Sequence, residues 1–365
     1  MLYETFGAGA AILEAGGCVE APVVAPRIRD RKNLEGAVSP EAPEVLAAPR
    51  EGFPLLVRPA IAGRPTIDDE QTIDAGPATL KDWARAARSL LEARLDESGA
   101  ILLRGLPIHS PAEFSEFFLS LGYSPMNYVG AATRDEIAPG VFTTNTSKPD
   151  KTIMLHNEMA AERMIPAHLF LFCHVAPPPG AGGETPIARN IDWHEQLEPE
   201  LRARIEARGL IRRFRVPSRG QTAKPGWQDR YGYEDPAELE ADRSAAGDRV
   251  QWQADGSVVL SRPMNAHLEH RGDELWFGTL PNAHPVTSLE MCYADGELVE
   301  DEILQRARIA QWKIAVAFSW QSGDVLCLDN RRCQHGRLSF ADDAERGVYV
   351  SIATPVRGAL RGPSQ

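Results

Sequence analysis

Between Thr79 and Ser98 the apolar residues Leu80, Trp83, Ala84, Ala87, Leu90, Leu91 and Leu95 recur every three or four positions. That spacing predicts a helix with one buried stripe. Thr79 can cap its start and Gly99 can end it. Ala100-Ile101-Leu102-Leu103-Arg104-Gly105 then reads as a buried strand. A second helix is predicted from Ser110-Pro111-Ala112-Glu113, a capping box with proline at the first helical position. Phe114, Phe117, Phe118 and Leu121 form its inner face.

Beyond this point the pattern changes. His168–Val175, Thr185–Asn190, Val258–Arg262, Leu275–Leu280, Val325–Asp329 and Val348–Ala353 read as strands separated by Gly, Pro and Asp clusters. A helical stretch at about Val299–Trp312 interrupts them. The expected fold class is mainly β with flanking helices, a sandwich or barrel core with helices outside. Residues 1–50, rich in Ala, Gly, Pro and Glu, are expected to be a surface arm, partly disordered. Residues 51–365 are expected to be a single domain. Within it, Val216–Gly256 is polar and too long for a plain connection. Its aromatics Trp227, Tyr231, Tyr233 and Trp252 favour a lid-like insertion over a mobile surface loop.

Composition narrows the function classes. The chain has 365 residues, 43% hydrophobic and 25% charged, enough for a sizeable core. The net charge is −12, so nucleic acid is excluded as an expected partner. The arginines between Arg202 and Arg219 are interspersed with Glu198, Glu200 and Glu206 and read as a solvated helix face. No apolar run reaches about 18 residues, so no membrane span is expected. Five scattered cysteines without a Cys-x-x-Cys pair exclude a disulfide framework and a zinc ribbon. Ala8–Leu13 has no preceding basic residue and does not read as a signal peptide. The expected compartment is cytoplasmic.

Candidate chemistry lies in two short segments. His156 and Glu158 in Leu155-His156-Asn157-Glu158 are two apart, and on a strand both side chains project from one face. His335 in Gln334-His335-Gly336-Arg337 adds a second imidazole. Two His and one carboxylate are the facial set of non-heme Fe(II) oxygenases; the same three ligands also suit a zinc hydrolase. His168 and His174, six apart on one strand face, have no carboxylate with them and read as supporting residues.

Four pieces occur in order: His156-Asn157-Glu158; Gly182-Gly183-Glu184-Thr185; Gly323-Asp324 with Asp329-Asn330; and His335-Gly336-Arg337 followed by Arg346. Together they resemble the TauD/TfdA superfamily of Fe(II)- and 2-oxoglutarate-dependent dioxygenases, in the branch with Glu in the first motif that includes clavaminate synthase and syringomycin-type hydroxylases. The resemblance covers about residues 53–355. It implies a double-stranded β-helix (jelly roll), with Fe(II) held by His156, Glu158 and His335. It also implies 2-oxoglutarate held by Arg346, eleven residues after the second His, with help from Thr185. Dioxygen is the third participant. The chemistry fits: a planar guanidinium suits a carboxylate, and a hydroxyl adds one hydrogen bond.

Taurine-type members carry another arginine fifteen residues after the second His, for an acidic head group. Here that position is Val350. Arg163 and Arg331 are the candidate substrate-binding residues in its place. Glu158 fills the position that is a small residue in related halogenases, which argues against halogenation. The expected reaction is oxidation of an aliphatic C–H of an amino acid or similar small molecule, free or carrier-bound, in specialised metabolism. Hydroxylation is the default, and desaturation or cyclisation would follow from the same chemistry. A catalytically inactive jelly-roll binding protein is the other alternative beside the zinc hydrolase.

Overall fold

The computed structural model describes residues 2–3, 13–15, 52–59, 79–128, 134–144, 148–160, 162, 164–222, 225–264, 267–276 and 289–357. In chain order the strands are β1 (Leu2–Tyr3), β2 (Leu13–Ala15), β3 (Leu55–Pro59), β4 (Ala100–Leu103), β5 (Glu136–Ala138), β6 (Val141–Thr143), β7 (Ile153–His156), β8 (Met164–Val175), β9 (Thr185–Arg189), β10 (Leu210–Val216), β11 (Arg249–Trp252), β12 (Val258–Met264), β13 (His267–His270), β14 (Asp273–Trp276), β15 (Leu289–Tyr293), β16 (Val316–Phe318), β17 (Val325–Asp329), β18 (Cys333–Arg337) and β19 (Gly347–Arg357). The helices are α1 (Leu80–Ser98), α2 (Pro111–Ser120), α3 (Asn190–Gln196), α4 (Pro199–Arg208), α5 (Trp227–Tyr231), α6 (Pro236–Ala245) and α7 (Asp301–Ile314).

The core is a jelly roll of two sheets. The larger has the order β1-β2-β3-β4-β17-β8-β19-β6-β5 and the smaller β16-β9-β18-β7. Alternation along the central strands explains why they are apolar throughout. Leu169, Leu171, Leu326, Leu328, Val350 and Ile352 point inward and meet Ile187, Val316, Phe318 and Cys333 of the smaller sheet. Phe170, Phe172, Val325 and Cys327 point outward and meet α1 and α2 through Leu90, Leu91, Phe114 and Phe117. Both faces are therefore covered, as strands without polar alternation require. Each such side chain contributes about 1.5–3 kcal/mol by leaving water.

The helix signals act as the sequence indicates. Thr79 accepts from the Asp82 N–H while Asp82 accepts from the Thr79 N–H, and Gly99 ends α1 at a φ of 76°. Ser110 accepts from the Glu113 N–H with Pro111 opening α2. Helix α7 covers the outer face of the smaller sheet, where Trp312 and Ala315 meet Leu155, Ala188 and Leu338.

Two sequence expectations change. The run from Arg202 to Arg219 is not one helix face: α4 ends at Arg208, and Arg212, Arg213 and Arg215 lie on β10. Residues 216–256 carry α5, α6 and β11. Strand β11 belongs to a separate sheet of order β11-β12-β10-β15. The aromatics Trp227, Tyr231, Tyr233 and Trp252 pack with Phe214, Val216, Leu239, Val258 and Leu260 on that sheet. Helix α5 spans only 5 residues, and α6 buries only Leu239, so neither carries an apolar stripe that periodicity could pick out. The expected arm lies outside the described residues apart from β1 and β2, as do residues 277–280 of the expected strand at Leu275–Leu280.

Candidate active site

Strands β7 and β18 are antiparallel neighbours, and their register sets His156 opposite His335. The two rings lie with centroids 4.4 Å apart. The pairing bulges between His335 and Arg337. Gly336 sits at this bulge, where a Cβ would approach the Ile153 carbonyl to 2.6 Å. Any side chain there would push β7 away and separate the imidazoles.

Glu158 is not on the strand. Strand β7 ends at His156 and Glu158 lies in the turn that follows, so its position does not come from strand alternation. Asn330, after β17, holds that turn. Its Oδ1 accepts from the Glu158 N–H at 2.6 Å, and its Nδ2 donates to the carbonyls of Glu158 (3.0 Å) and Pro166 (2.9 Å). In return the Asn157 amide donates to the carbonyls of Asn330 (2.7 Å) and Cys333 (3.0 Å). Asp324, one of the motif residues, works lower in the same sheet, forming a buried bidentate pair with Arg104 at 2.9 and 2.7 Å.

One donor atom each from His156, Glu158 and His335 lie within 4.8 Å of one another. His156 Nδ1 is 2.8 Å from the Met154 carbonyl; donation there fixes the tautomer and leaves Nε2 as a lone-pair donor. Burial pulls the His156 imidazole down to about 4, and His335 pulls it the same way. Burial acts to raise the Glu158 carboxyl, but Arg134 and then His335 outweigh it and bring it to about 2. A neutral imidazole and an ionised carboxylate are the forms that bind a divalent ion. The donor set of two nitrogens and one oxygen fits Fe(II). A second group, Asp96, His270 and Asp329, also falls within ligand distance. Its carboxylates are already taken by Arg271, Arg332 and Arg331.

His156, Glu158 and His335 line a cavity together with Arg134, Thr144, Thr185, Arg337, Arg346 and Val350. Arg346 enters from the start of β19, and its Nε donates to the Gly183 carbonyl at 2.9 Å. The close approach explains the glycine pair, since a Cβ on Gly183 would stand 3.0 Å from Arg346 Cδ. Arg346 makes no ion pair among the described residues, and burial, then Arg337, pulls it down to about 10. A half-buried cation without a carboxylate partner is a receptor for an anionic ligand. Thr185 Oγ1 accepts from Trp320 Nε1 at 3.0 Å, which leaves its own proton to donate elsewhere.

The structure thus brings His156, Glu158, His335, Thr185 and Arg346 into one cavity. It does not bring Arg331 there. That guanidinium pairs with Asp329 at 2.9 and 2.6 Å and lines a different groove, beside Tyr123, His168 and Thr354. Arg163 lies outside the described residues. No residue of 216–256 lines the cavity among the described residues. Arg134 is the residue that sequence reading passes over. It donates to Glu158 at 3.2 Å and stacks over Tyr128 at 4.0 Å. It belongs to no spaced motif, so only the folded chain discloses it.

Comparison with known proteins shows the family. A clavaminate synthase-like protein of Arabidopsis thaliana is 30% identical over 319 residues, covering 82% of this chain and 93% of that protein. The dapdiamide synthesis protein DdaC of Enterobacter agglomerans is 29% identical over 322 residues, covering 82% and 94%. Among solved structures, PvcB of Pseudomonas aeruginosa aligns with a TM-score of 0.49 at 16% identity, covering 84% and 89%. The model of the family described as Taurine catabolism dioxygenase TauD, TfdA matches residues 64–351. The chain therefore belongs to the TauD/TfdA family and is a 2-oxoglutarate-dependent non-heme iron dioxygenase that uses Fe(II), 2-oxoglutarate and dioxygen.

Proposed function

We propose that His156, Glu158 and His335 hold the iron and that Arg346 receives the distal carboxylate of 2-oxoglutarate, with Thr185 donating one further hydrogen bond. The observation that carries this reading is the cavity itself. It joins the three clustered donors with a half-buried arginine that has no carboxylate partner among the described residues. Iron with its cosubstrate supplies the oxidising power toward an aliphatic C–H. The chain's residues do the rest. His156, fixed through Met154, and Glu158, fixed through Asn330, keep the donors on one side of the site. Arg346 and Thr185 set the direction of the cosubstrate. Leu171, Val348 and Val350 make the adjoining wall apolar, which limits water near the reacting centre.

The substrate is an amino acid or a similar small molecule, free or carrier-bound, and its hydroxylation is the favoured outcome. The two sequence relatives support a biosynthetic setting, one named for dapdiamide synthesis and the other for its likeness to clavaminate synthase. Val350 supports a substrate that does not place an acidic head group at β19.

The test is anaerobic addition of Fe(II) and 2-oxoglutarate, followed by visible absorption. The expected result is a weak charge-transfer band that disappears in His156→Ala and Glu158→Ala. A band unchanged in both variants overturns the assignment. Substrate-triggered succinate formation across a panel of amino acids separates an active enzyme from a binding protein. Metal analysis after anaerobic purification separates iron from zinc.

A further inference from the structure

Phe214, on β10, carries three guanidinium groups against its ring. Arg212 stands 5.4 Å from the ring centre, Arg230 5.2 Å and Arg262 5.7 Å. They come from β10, α5 and β12, three elements that the hydrophobic cluster around Leu239 and Val258 holds together. Arginine stacking on an aromatic face is ordinary; three on one ring put like charges side by side.

The three charges are not compensated alike. Arg262 donates to both oxygens of Asp248, at 2.6 and 2.7 Å, and reaches Glu162 at 3.5 Å. Its neighbour Arg243 pairs with Asp242 at 2.6 Å. Arg212 and Arg230 make no ion pair among the described residues, and the Nε–H of each is buried without an acceptor. Both side chains are half-buried. Burial, then Arg262, pulls Arg212 down to about 10; Glu162 acts the other way and Arg230 adds to the fall. Two cations enclosed in this way, with donors unused, create a local positive potential that an anion would relieve.

The number of donors narrows the class of anion. One guanidinium fork occupies both oxygens of a carboxylate. Two forks gathered at one ring, 5.4 and 5.2 Å from its centre, match the three or four oxygens of a phosphate group better than the two of a carboxylate.

We propose that Arg212 and Arg230 form a binding site for a phosphate group, free or as a phosphate monoester, on the segment that runs from β10 to β12. The site is separate from the cavity that holds His156, since neither arginine lines it. It has a physical link to the metal motif, because Arg262 contacts Glu162, four residues beyond Glu158. The proposal does not depend on the substrate assignment.

The test uses the full chain in chelator, titrated with inorganic phosphate and, separately, with glycerol 3-phosphate at constant ionic strength. Binding is read by calorimetry and thermal melting. The expected result is saturable binding that raises the melting temperature. Arg212→Met and Arg230→Met each weaken it at least tenfold, whereas Arg249→Met, an exposed residue on β11, does not. Without phosphate, Arg212→Met melts at or near the parent temperature, because the removed cation makes no ion pair among the described residues and the carboxylate of Glu162 acts on it only from a distance. Tighter binding of glycerol 3-phosphate supports the site and assigns it to an ester; tighter binding of inorganic phosphate supports it and assigns it to the free ion. Arg212→Lys retains the charge without the fork and is also expected to bind more weakly, which keeps the test valid if a methionine variant misfolds. The proposal is overturned if chloride produces the same shift, or if saturable binding survives in all the Arg212 and Arg230 variants.

Discussion

Arg134 Nη2 lies 3.2 Å from Oε1 of Glu158, while Oε2 of the same carboxylate faces His335 Nε2 at 3.5 Å. The two oxygens therefore have different tasks. One is committed to a guanidinium, and the other belongs to the donor cluster. Stacking on Tyr128 fixes the guanidinium plane, so the pair orients Glu158 rather than only neutralising it. Replacing Arg134 by Gln leaves a buried carboxylate without its cation, a loss of about 3–5 kcal/mol in the metal-free protein. Thermal melting of the metal-free variant is expected to fall, with Fe(II) restoring more of the stability than it adds to the parent. Equal metal-induced shifts in the two proteins would refute the coupling.

Arg346 presents the opposite situation, a half-buried cation with no ion pair among the described residues. Arg346→Met is expected to weaken 2-oxoglutarate by about 2–5 kcal/mol, the range for one half of a buried charge pair. That is roughly 30-fold or more in the cosubstrate titration of the charge-transfer band. The ligand-free protein should lose only what the bond to the Gly183 carbonyl contributes, about 0.5–1.5 kcal/mol, because the removed charge has no ion pair among the described residues. A stability loss with unchanged cosubstrate affinity would mean that Arg346 serves the fold.

In the proposed arrangement Trp320 acts on the cosubstrate through Thr185. With the indole N–H donating to Thr185 Oγ1, the hydroxyl proton is left to point toward the cavity. Trp320→Phe removes one hydrogen bond worth about 0.5–1.5 kcal/mol, so the KM for 2-oxoglutarate should rise roughly 2- to 12-fold. In Thr185→Val the same indole change should have no further effect on KM. Additive effects in the double variant would show that the two residues act separately.

Asn330 satisfies three backbone groups around Glu158 at once. Asn330→Ala strands them in a buried region at about 1–3 kcal/mol for each group that water cannot reach. Fe(II) affinity should fall by roughly 10- to 100-fold, as for other residues that orient ligands. A variant that melts lower yet binds Fe(II) as the parent does would confine Asn330 to a folding role.

The sequence by itself determined what depends on local chemistry. Thr79, Gly99 and Ser110 mark helix ends through bonds to residues within four positions, and Pro111 does so through its fixed φ. The apolar runs of β8, β17 and β19 follow from a sheet covered on both faces. His156, Glu158, His335, Thr185 and Arg346 stood out as candidates because their motifs together resemble those of the TauD/TfdA family. Tertiary structure decided what depends on register and on contacts between distant segments. Strand pairing set His156 against His335. A turn tied to Asn330, not strand alternation, placed Glu158, and folding brought Arg134 to it across 24 positions. It also turned Arg331 away toward Asp329, and it gathered Arg212, Arg230 and Arg262 around Phe214. A charge pair or a stacked guanidinium has no period along the chain; its energy depends on distance and burial, and those exist only once the sheets have closed.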